Sequence, residues 1–502
     1  MTTSTEAPQE LEVGPEVVTT AGRVRGIRRQ TDAAFLGIPF AAPPVGPNRF
    51  AAPAPVEPWE GVRDATRFGP TPQRRPFGPV TTIPEPSIPG DDTLSVNVFT
   101  PTPGDRDARL PVLVWIHGGG FFAGSPASPW YDGVRFGRDG IVTVTLSYRL
   151  GFDGFGWIDG APRNRGILDQ IAALEWVRDN IAAFGGDPGR VTIAGQSAGG
   201  ASVLALLAAP SAAGLFHGAI SESGLISRLS PESARAAAAR VAAGLGFAAP
   251  DVDLLRTAAE SDVLDREREE IATFAGPPPA TATELVEQLL DPLADTMTLP
   301  FVPVVDGEVL VDIDEAIRTS TVPLLLGTNR NEFVFPADAP DGVGEALAAA
   351  GVTPAPVQRF ESEVERLGAP FTRSLLGVSA MFRLPAIRVA ALRTQGGAWD
   401  RTWLYDFAWR TPDGFVPHCA ELPFVWDLLD APGVAAVLGE TPPQALADTM
   451  HADWVGFIQR GACPWPAVVG RPGGARVYDT EITDDPDAYA LERDLAARSS
   501  AV

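Results

Sequence analysis

Apolar residues along the chain alternate between two spacings. Pro111-Val112-Leu113-Val114-Trp115-Ile116 is an unbroken apolar run, the pattern of a strand buried on both faces. Ile141 to Tyr148 is a second such run, and Val322 to Gly327 and Trp403 to Phe407 repeat it late in the chain. Leu94 to Thr100 alternates like a strand, and Phe35 to Phe40 is a strand that runs into the Pro-punctuated loop Ala41 to Gly46. Between Gly166 and Phe184 the period changes to that of a helix, with Ile167, Leu168, Ile171, Leu174, Val177 and Ile181 on one face. Gly185-Gly186-Asp187-Pro188 stops that helix, Val191 to Ala194 is again strand-like, and Ala201 to Ala209 is a small-residue helix. Strands alternating with helices predict an α/β fold with a central, mostly parallel sheet flanked by helices. Two stretches break the alternation, at about 230–299 and 337–400. Both read as helical cap insertions, the first interrupted by Gly276-Pro277-Pro278-Pro279. Residues 1–18 are polar and acidic and read as a disordered lead, leaving 19–502 as one domain. Residues 70–92 are Pro-rich and predict a long surface loop.

The stretch Val191 to Gly200 ties these elements to chemistry. In Gly195-Gln196-Ser197-Ala198-Gly199 a strand ends, turns sharply and becomes a helix, the spacing of a nucleophile elbow. Such a turn leaves no room for side chains two residues either side of the serine, which therefore stands clear of the backbone. A serine hydroxyl is a weak nucleophile until a base takes its proton. Four histidines are available. His117 precedes three glycines and suits a loop-shaping role, while His217 and His451 sit in helical patterns and suit structural ones. His418 lies in the loop Gly414 to Phe424, beyond the end of a core strand, where α/β enzymes carry their chemistry. The base needs an orienting carboxylate. Glu332 follows the strand Leu324–Leu326 directly, although taken alone it reads equally well as a loop carboxylate or helix cap. The order Ser197, Glu332, His418 is that of α/β-hydrolases. His117-Gly118-Gly119-Gly120 follows another core strand, and its glycines allow backbone N–H groups to approach a developing oxyanion, each such donor being worth ~3 kcal/mol of barrier.

Composition narrows the classes. At 502 residues, length alone suggests roughly three domains. The catalytic parts are spread over most of the chain, however, and only a single fold collects them. Hydrophobic content of 45% supports a large core. The net charge is −24, and all 39 basic residues are Arg. That balance argues against nucleic-acid binding, which needs a basic surface. Only Cys419 and Cys463 are present, too few for a disulfide framework, and this fits a reducing, cytoplasmic setting. No signal-peptide pattern opens the chain, and no stretch reads as the ~20 apolar residues of a membrane span. Nothing in the sequence calls for a metal or cofactor. The expected partner is a small molecule, with the protein a monomer or small homo-oligomer.

Taken together these motifs resemble the type-B carboxylesterase family, the bacterial para-nitrobenzyl esterases and cholinesterases among them. The likeness runs from about residue 20 to 485. It is carried by Phe35 to Phe50, Asp91 to Pro101, Trp115 to Gly124, Ser147 to Gly151, Leu168 to Gln170, Phe184 to Gly200 and His418 to Phe424. The resemblance implies an α/β-hydrolase fold, with Ser197 as nucleophile, His418 as base and Glu332 as acid. It implies an oxyanion hole at the N–H groups of Gly119, Gly120 and Ala198, with Ser223 and Gln196 as polar supports. It further implies buried ion pairs Arg149–Asp169 and Arg49–Asp91. Three departures stand out. Thr93 replaces a cysteine of the secreted members, the 70–92 loop lacks the tryptophan that cholinesterases use against a quaternary ammonium, and Gln196 stands where they have glutamate. In that loop Phe77 is the only aromatic residue. The expected activity is hydrolysis of small uncharged carboxylic esters. A carbamate or amide hydrolase is the alternative within the same chemistry, and a non-catalytic binding protein the alternative from another class.

Overall fold

The computed structural model describes residues 14–76, 78, 81–225, 229–273, 279–290, 299–333, 336–468 and 473–498. In chain order the strands are β1 (Glu16–Val18), β2 (Arg23–Arg25), β3 (Ile27–Arg28), β4 (Ala33–Pro39), β5 (Val62–Asp64), β6 (Ser95–Thr100), β7 (Leu110–Ile116), β8 (Val142–Leu146), β9 (Gly186–Gln196), β10 (Gly218–Glu222), β11 (Leu324–Asn329), β12 (Thr402–Phe407), β13 (Ala475–Tyr478) and β14 (Thr483–Asp485). Eleven of them form one sheet in the order β14-β13-β12-β11-β10-β9-β7-β8-β6-β4-β3, and β1-β2-β5 form a small second sheet. From β13 across to β8 every pairing is parallel. Both flanks are antiparallel, β13 with β14 on one side and β8-β6-β4-β3 on the other. This is the expected mostly parallel sheet. The apolar runs are buried at its centre: Val112, Val114 and Ile116 on β7 and Val142, Val144 and Leu146 on β8 are fully inaccessible.

The helix Arg165–Asn180 buries the predicted apolar stripe against the sheet, and Gly185 ends the following turn with a left-handed φ of 86°. The elbow helix is Ala198–Leu207. Between β10 and β11 lie the helices Pro231–Gly244, Glu260–Thr273 and Ala282–Leu290. Between β11 and β12 lie Val343–Ala349, Pro354–Leu367, Thr372–Val378 and Leu384–Gln395. Gly276-Pro277-Pro278 and Phe77 lie outside the described residues.

Three expectations need correction, and one strand is added to the reading. Glu16–Val18 is not part of a disordered lead: it pairs with β2 and buries Val17, while residues 1–13 lie outside the described residues. Strand β10 is absent from the hydrophobic pattern because its last two residues, Ser221 and Glu222, are polar yet buried. His217 is not helical, since it sits exposed on the approach to β10. Ala369–Gln395 is long and apolar enough to cross a membrane by length and composition, with 72% of its apolar window buried inside the protein, as in a core helix. That run carries one turn of π-helix, Ser379–Arg383. Arg383 there bonds Asp406 on β12 at 2.9 Å and Glu492 at 3.1 Å.

Candidate active site

The parallel strands deliver their C-terminal ends to one edge of the sheet. Ile116 of β7 lies in register with Gly195 of β9, and Gln196 with Glu222 of β10. The chain then turns at Ser197, whose φ of 58° and ψ of −121° are strained for a residue with a side chain. The turn survives because its flanks are glycine. A Cβ on Gly199 would stand 1.9 Å from the Ile116 carbonyl oxygen, and one on Gly195 would stand 2.5 Å from Gly199. The Ser197 N–H donates to the Glu222 carbonyl at 2.8 Å, which pins the elbow to the neighbouring strand.

The loop His117 to Gly124 folds over the elbow. Gly118 packs so closely that a Cβ there would sit 3.1 Å from Cβ of Ser197. Gly119 and Gly120 take φ of 117° and 62°, and the Gly119 carbonyl accepts from the N–H groups of Phe122 and Ala123. This leaves the N–H groups of Gly119 and Gly120 without a partner among the described residues, and the N–H of Ala198 is the first of its helix and equally free. His117 is not a base here. It is buried, its Nδ1 faces the Gly118 carbonyl at 2.8 Å, and burial lowers its pKa to about 4. The Tyr148 hydroxyl donates to its carbonyl at 2.9 Å, and the two rings stack. Arg74, from the Pro-rich 70–92 segment, braces the far end of the loop by donating to the Gly124 carbonyl at 2.9 Å.

On the other side of the elbow, Glu332 and His418 meet. His418 Nδ1 lies 2.5 Å from Glu332 Oε2. The His418 N–H also donates to the Glu332 carbonyl at 3.0 Å, so the two loops are joined through their backbones as well. The other oxygen of Glu332 accepts from the Ser223 hydroxyl at 2.5 Å and from the Asn329 N–H at 2.8 Å. Ser223 (φ 47°), Glu332 (φ 47°) and Cys419 (φ 69°) are all left-handed non-glycine residues, so strain gathers around this site. Phe333 and Phe382 pack on the imidazole at 4.3 and 5.2 Å between ring centres. Phe382 comes from the π-helical turn Ser379–Arg383. At its open end, His418 Nε2 faces the Gln196 amide nitrogen at 3.2 Å, not the Ser197 hydroxyl. Ser197 and His418 thus stand on adjacent structure without a hydrogen bond between them, a geometry that does not rule them out as a catalytic pair. Neither His217 nor His451 is near. His451 bridges the Val425 carbonyl and Asp139, a structural role.

The support behind the site was not visible in the sequence. Glu222 and Glu421 are fully buried carboxyl groups. Burial raises Glu222 to about 8, and burial together with the charges of Glu222 and Glu332 raises Glu421 well above the usual carboxylate range. Glu222 accepts from the Trp454 indole at 2.7 Å, and Glu421 from Asn329 at 2.5 Å. The only signal was their acidic type beside Ser223 and His418. The expected pair Arg149–Asp169 is present and buried at 2.7 Å. Arg49, however, pairs with Asp153 at 3.0 Å rather than with Asp91, and also donates to the Ala258 carbonyl at 2.8 Å. Among the described residues no cluster of His, Cys, Asp and Glu is arranged to hold a metal.

A parallel-centred sheet with a strained serine at a strand-to-helix elbow is the α/β-hydrolase fold, and its site is that of a carboxylic ester hydrolase. The chain belongs to the carboxylesterase family, whose model matches residues 13–347. It is 35% identical to the para-nitrobenzyl esterase of Bacillus subtilis over 95% of this chain and 98% of that protein. It is 40% identical to carboxylesterase 1D of Rattus norvegicus over 64% of this chain and 59% of that one. Among solved structures it resembles a thermophilic para-nitrobenzyl esterase, with a TM-score of 0.78 and 33% identity across 96% of this chain and 99% of that one. A carboxylesterase of Geobacillus stearothermophilus gives a TM-score of 0.76 at 33% identity, with the same coverage.

Proposed function

We propose that this carboxylesterase hydrolyses small uncharged carboxylic esters through an acyl-enzyme formed on Ser197. The Ser197 hydroxyl attacks the ester carbonyl, and His418 Nε2 takes its proton. The N–H groups of Gly119, Gly120 and Ala198 receive the oxyanion. His418 then returns the proton to the departing alcohol, and a water molecule, activated by the same base, releases the acid. Glu332 keeps the imidazole oriented and stabilises it when charged. The reading is carried by the Glu332–His418 contact of 2.5 Å beside an elbow serine whose neighbouring N–H groups are unoccupied. Its test is a panel of chromogenic esters, carbamates and anilides of graded acyl length, run with wild type and Ser197→Ala. Short neutral esters are expected to lead, with turnover abolished in the variant. A phosphonylating reagent should label Ser197 with one equivalent per chain. Preferential turnover of carbamates or anilides would move the assignment to the alternative chemistry, and turnover that survives in Ser197→Ala would overturn the nucleophile.

A further inference from the structure

We infer that Arg74 and Glu85, on the Pro-rich 70–92 segment, form a clasp on Gly124 that sets the N–H groups of Gly119 and Gly120 for an oxyanion. The inference rests on reading those N–H groups as the oxyanion hole, and it makes Arg74 and Glu85 positioning residues. The Arg74 guanidinium bridges two stretches of chain. Its Nε donates to the Gly124 carbonyl at 2.9 Å. Its Nη2 donates to the Glu85 carbonyl at 2.9 Å and lies 3.2 Å from Glu85 Oε2. The Gly124 N–H in turn favours the charged form of the Glu85 carboxyl. Both backbone polar groups of Gly124 therefore face one ion pair, whose side chains are largely buried.

Gly124 backs the oxyanion loop. It is left-handed at φ 96°, and a Cβ there would stand 2.0 Å from the Gly118 carbonyl oxygen and 2.5 Å from His117 Nδ1. A Cβ on Gly119 would meet the Gly124 nitrogen at 2.7 Å. Backbone thus lies directly on backbone, with no side chain between to absorb a shift, and a displacement of Gly124 passes to Gly118 and Gly119. The clasp has a firm base, because the two arms of its segment are tied together. The Thr71 N–H donates to the Ile88 carbonyl at 2.9 Å, and the Ile88 N–H to the Thr71 hydroxyl at 2.9 Å. The Gln73 amide donates to the Thr71 and Ile88 carbonyls at 2.8 and 3.1 Å. Burial works against both charges, lowering Arg74 and raising Glu85, and each is opposed by the other's field. A buried pair of this sort gains little stability over apolar side chains of the same size, so its use here is directional. Arginine suits it because a planar guanidinium presents several donors in a fixed fork, whereas a lysine ammonium is a point charge.

The test uses the full chain, a short chromogenic ester, and a trifluoromethyl ketone beside its methyl ketone counterpart. The fluorinated ketone adds Ser197 and then carries an oxyanion, whereas the methyl ketone stays neutral and reports ground-state binding. Arg74→Lys keeps a positive charge beside Glu85 but cannot hold Gly124 and Glu85 in one fork. It is expected to keep the wild-type melting temperature while kcat falls roughly ten- to hundredfold, short of the loss from removing a donor outright. Affinity for the trifluoromethyl ketone should fall by the same factor, with KM and methyl ketone binding unchanged to within about twofold. Arg74→Met and Glu85→Gln should move kcat and trifluoromethyl ketone affinity in the same direction. A role in stability alone would lower the melting temperature and leave the ratio of the two ketone affinities as in wild type. The clasp is overturned if any of the three variants, folded, keeps wild-type kcat and ketone affinity, or if both ketones weaken alike. A crystal structure of the wild-type adduct decides the matter even where variants do not fold. Arg74 must contact the Gly124 carbonyl while the adduct oxygen sits on the N–H groups of Gly119 and Gly120, and a missing Arg74 contact overturns the clasp alone. An adduct oxygen away from those N–H groups would overturn the oxyanion reading, and the clasp with it.

Discussion

Glu332 shows how much a single side chain is asked to do. Its two oxygens accept from His418, Ser223 and Asn329, all in the role of donors. Glu332→Gln turns one of those acceptors into a donor and sets it against a donor. The expected result is a fall in kcat of about a hundredfold or more with KM little changed, because the carboxylate acts most strongly once the imidazolium forms. Steady-state kinetics with a short chromogenic ester measures this. The same loss in Asp338→Asn or Asp341→Asn, with Glu332→Gln active, would show the wrong carboxylate to have been chosen. Ser197, Glu332 and His418 were legible because each sits in a local pattern: an elbow, a residue just past a strand, a loop after one. Cys419, Glu222 and Glu421 were not legible in their present roles, and Gln196 was legible only as a polar support implied by the resemblance. Their contacts join loops some 220 positions apart in the case of Gln196 and Cys419, and no local spacing encodes which side chains will meet there.

At the scale of elements, long apolar runs were legible and short polar-ended ones were not. Strands β7, β8 and β11 are unmistakable, whereas β10 ends in Ser221, whose hydroxyl donates to the Gly200 carbonyl of the elbow helix, and in Glu222, whose carboxyl group accepts from the Trp454 indole. The contact between Glu260–Thr273 and the turn at Gly151 was equally invisible. Glu267 on that helix accepts from the Phe152 N–H at 2.9 Å, and a Cβ on Gly151 would lie 2.1 Å from its carboxylate oxygen. Burial, opposed by the Phe152 bond and helped by the nearby Asp153 charge, raises Glu267 from 4.5 to about 8. The native state therefore keeps this proton between about pH 4.5 and 8 while the unfolded chain has lost it. Stability from this group is complete below pH 4.5 and declines as pH rises towards 8. Glu267→Gln is neutral at every pH and retains an acceptor for Phe152. Its melting temperature relative to wild type should rise from pH 5 to pH 8, by an amount equivalent to roughly 1–3 kcal/mol. A flat difference across that range would mean Glu267 is ionised in the fold. The elbow supplies a second test at this scale. Gly199→Ala would drive a methyl group into the Ile116 carbonyl, so it is expected to give little folded, active protein; near-normal yield and melting temperature would contradict the packing.

Over the whole molecule the charge is −24, and its field reaches well beyond any one contact. Long-range repulsion disfavours anionic esters, most at low salt, where the Debye length is longest. The same field draws cationic choline esters toward the protein, and specificity then depends on what meets the cation at close range. Recognition of a quaternary ammonium relies on an exposed aromatic face. Among the described residues, the aromatic side chains that pack on His418 are Phe333 and Phe382, with interplanar angles of 34° and 40°. Gln196 contributes no negative charge next to Ser197, and the position of Phe77, in the 70–92 loop, lies outside the described residues. Discrimination follows differential binding of the transition state, whereas the distant field acts mainly on encounter. A neutral butyrate ester is therefore expected to exceed butyrylcholine in kcat/KM by about tenfold or more when size and leaving-group pKa are matched. The gap should widen as salt is raised and the attraction for the cation is screened. The measurement is kcat/KM for both esters at low and high ionic strength. A preference for butyrylcholine that persists at high salt would require an open aromatic cation site, and would overturn the account of Phe333 and Phe382 as supports of His418 alone.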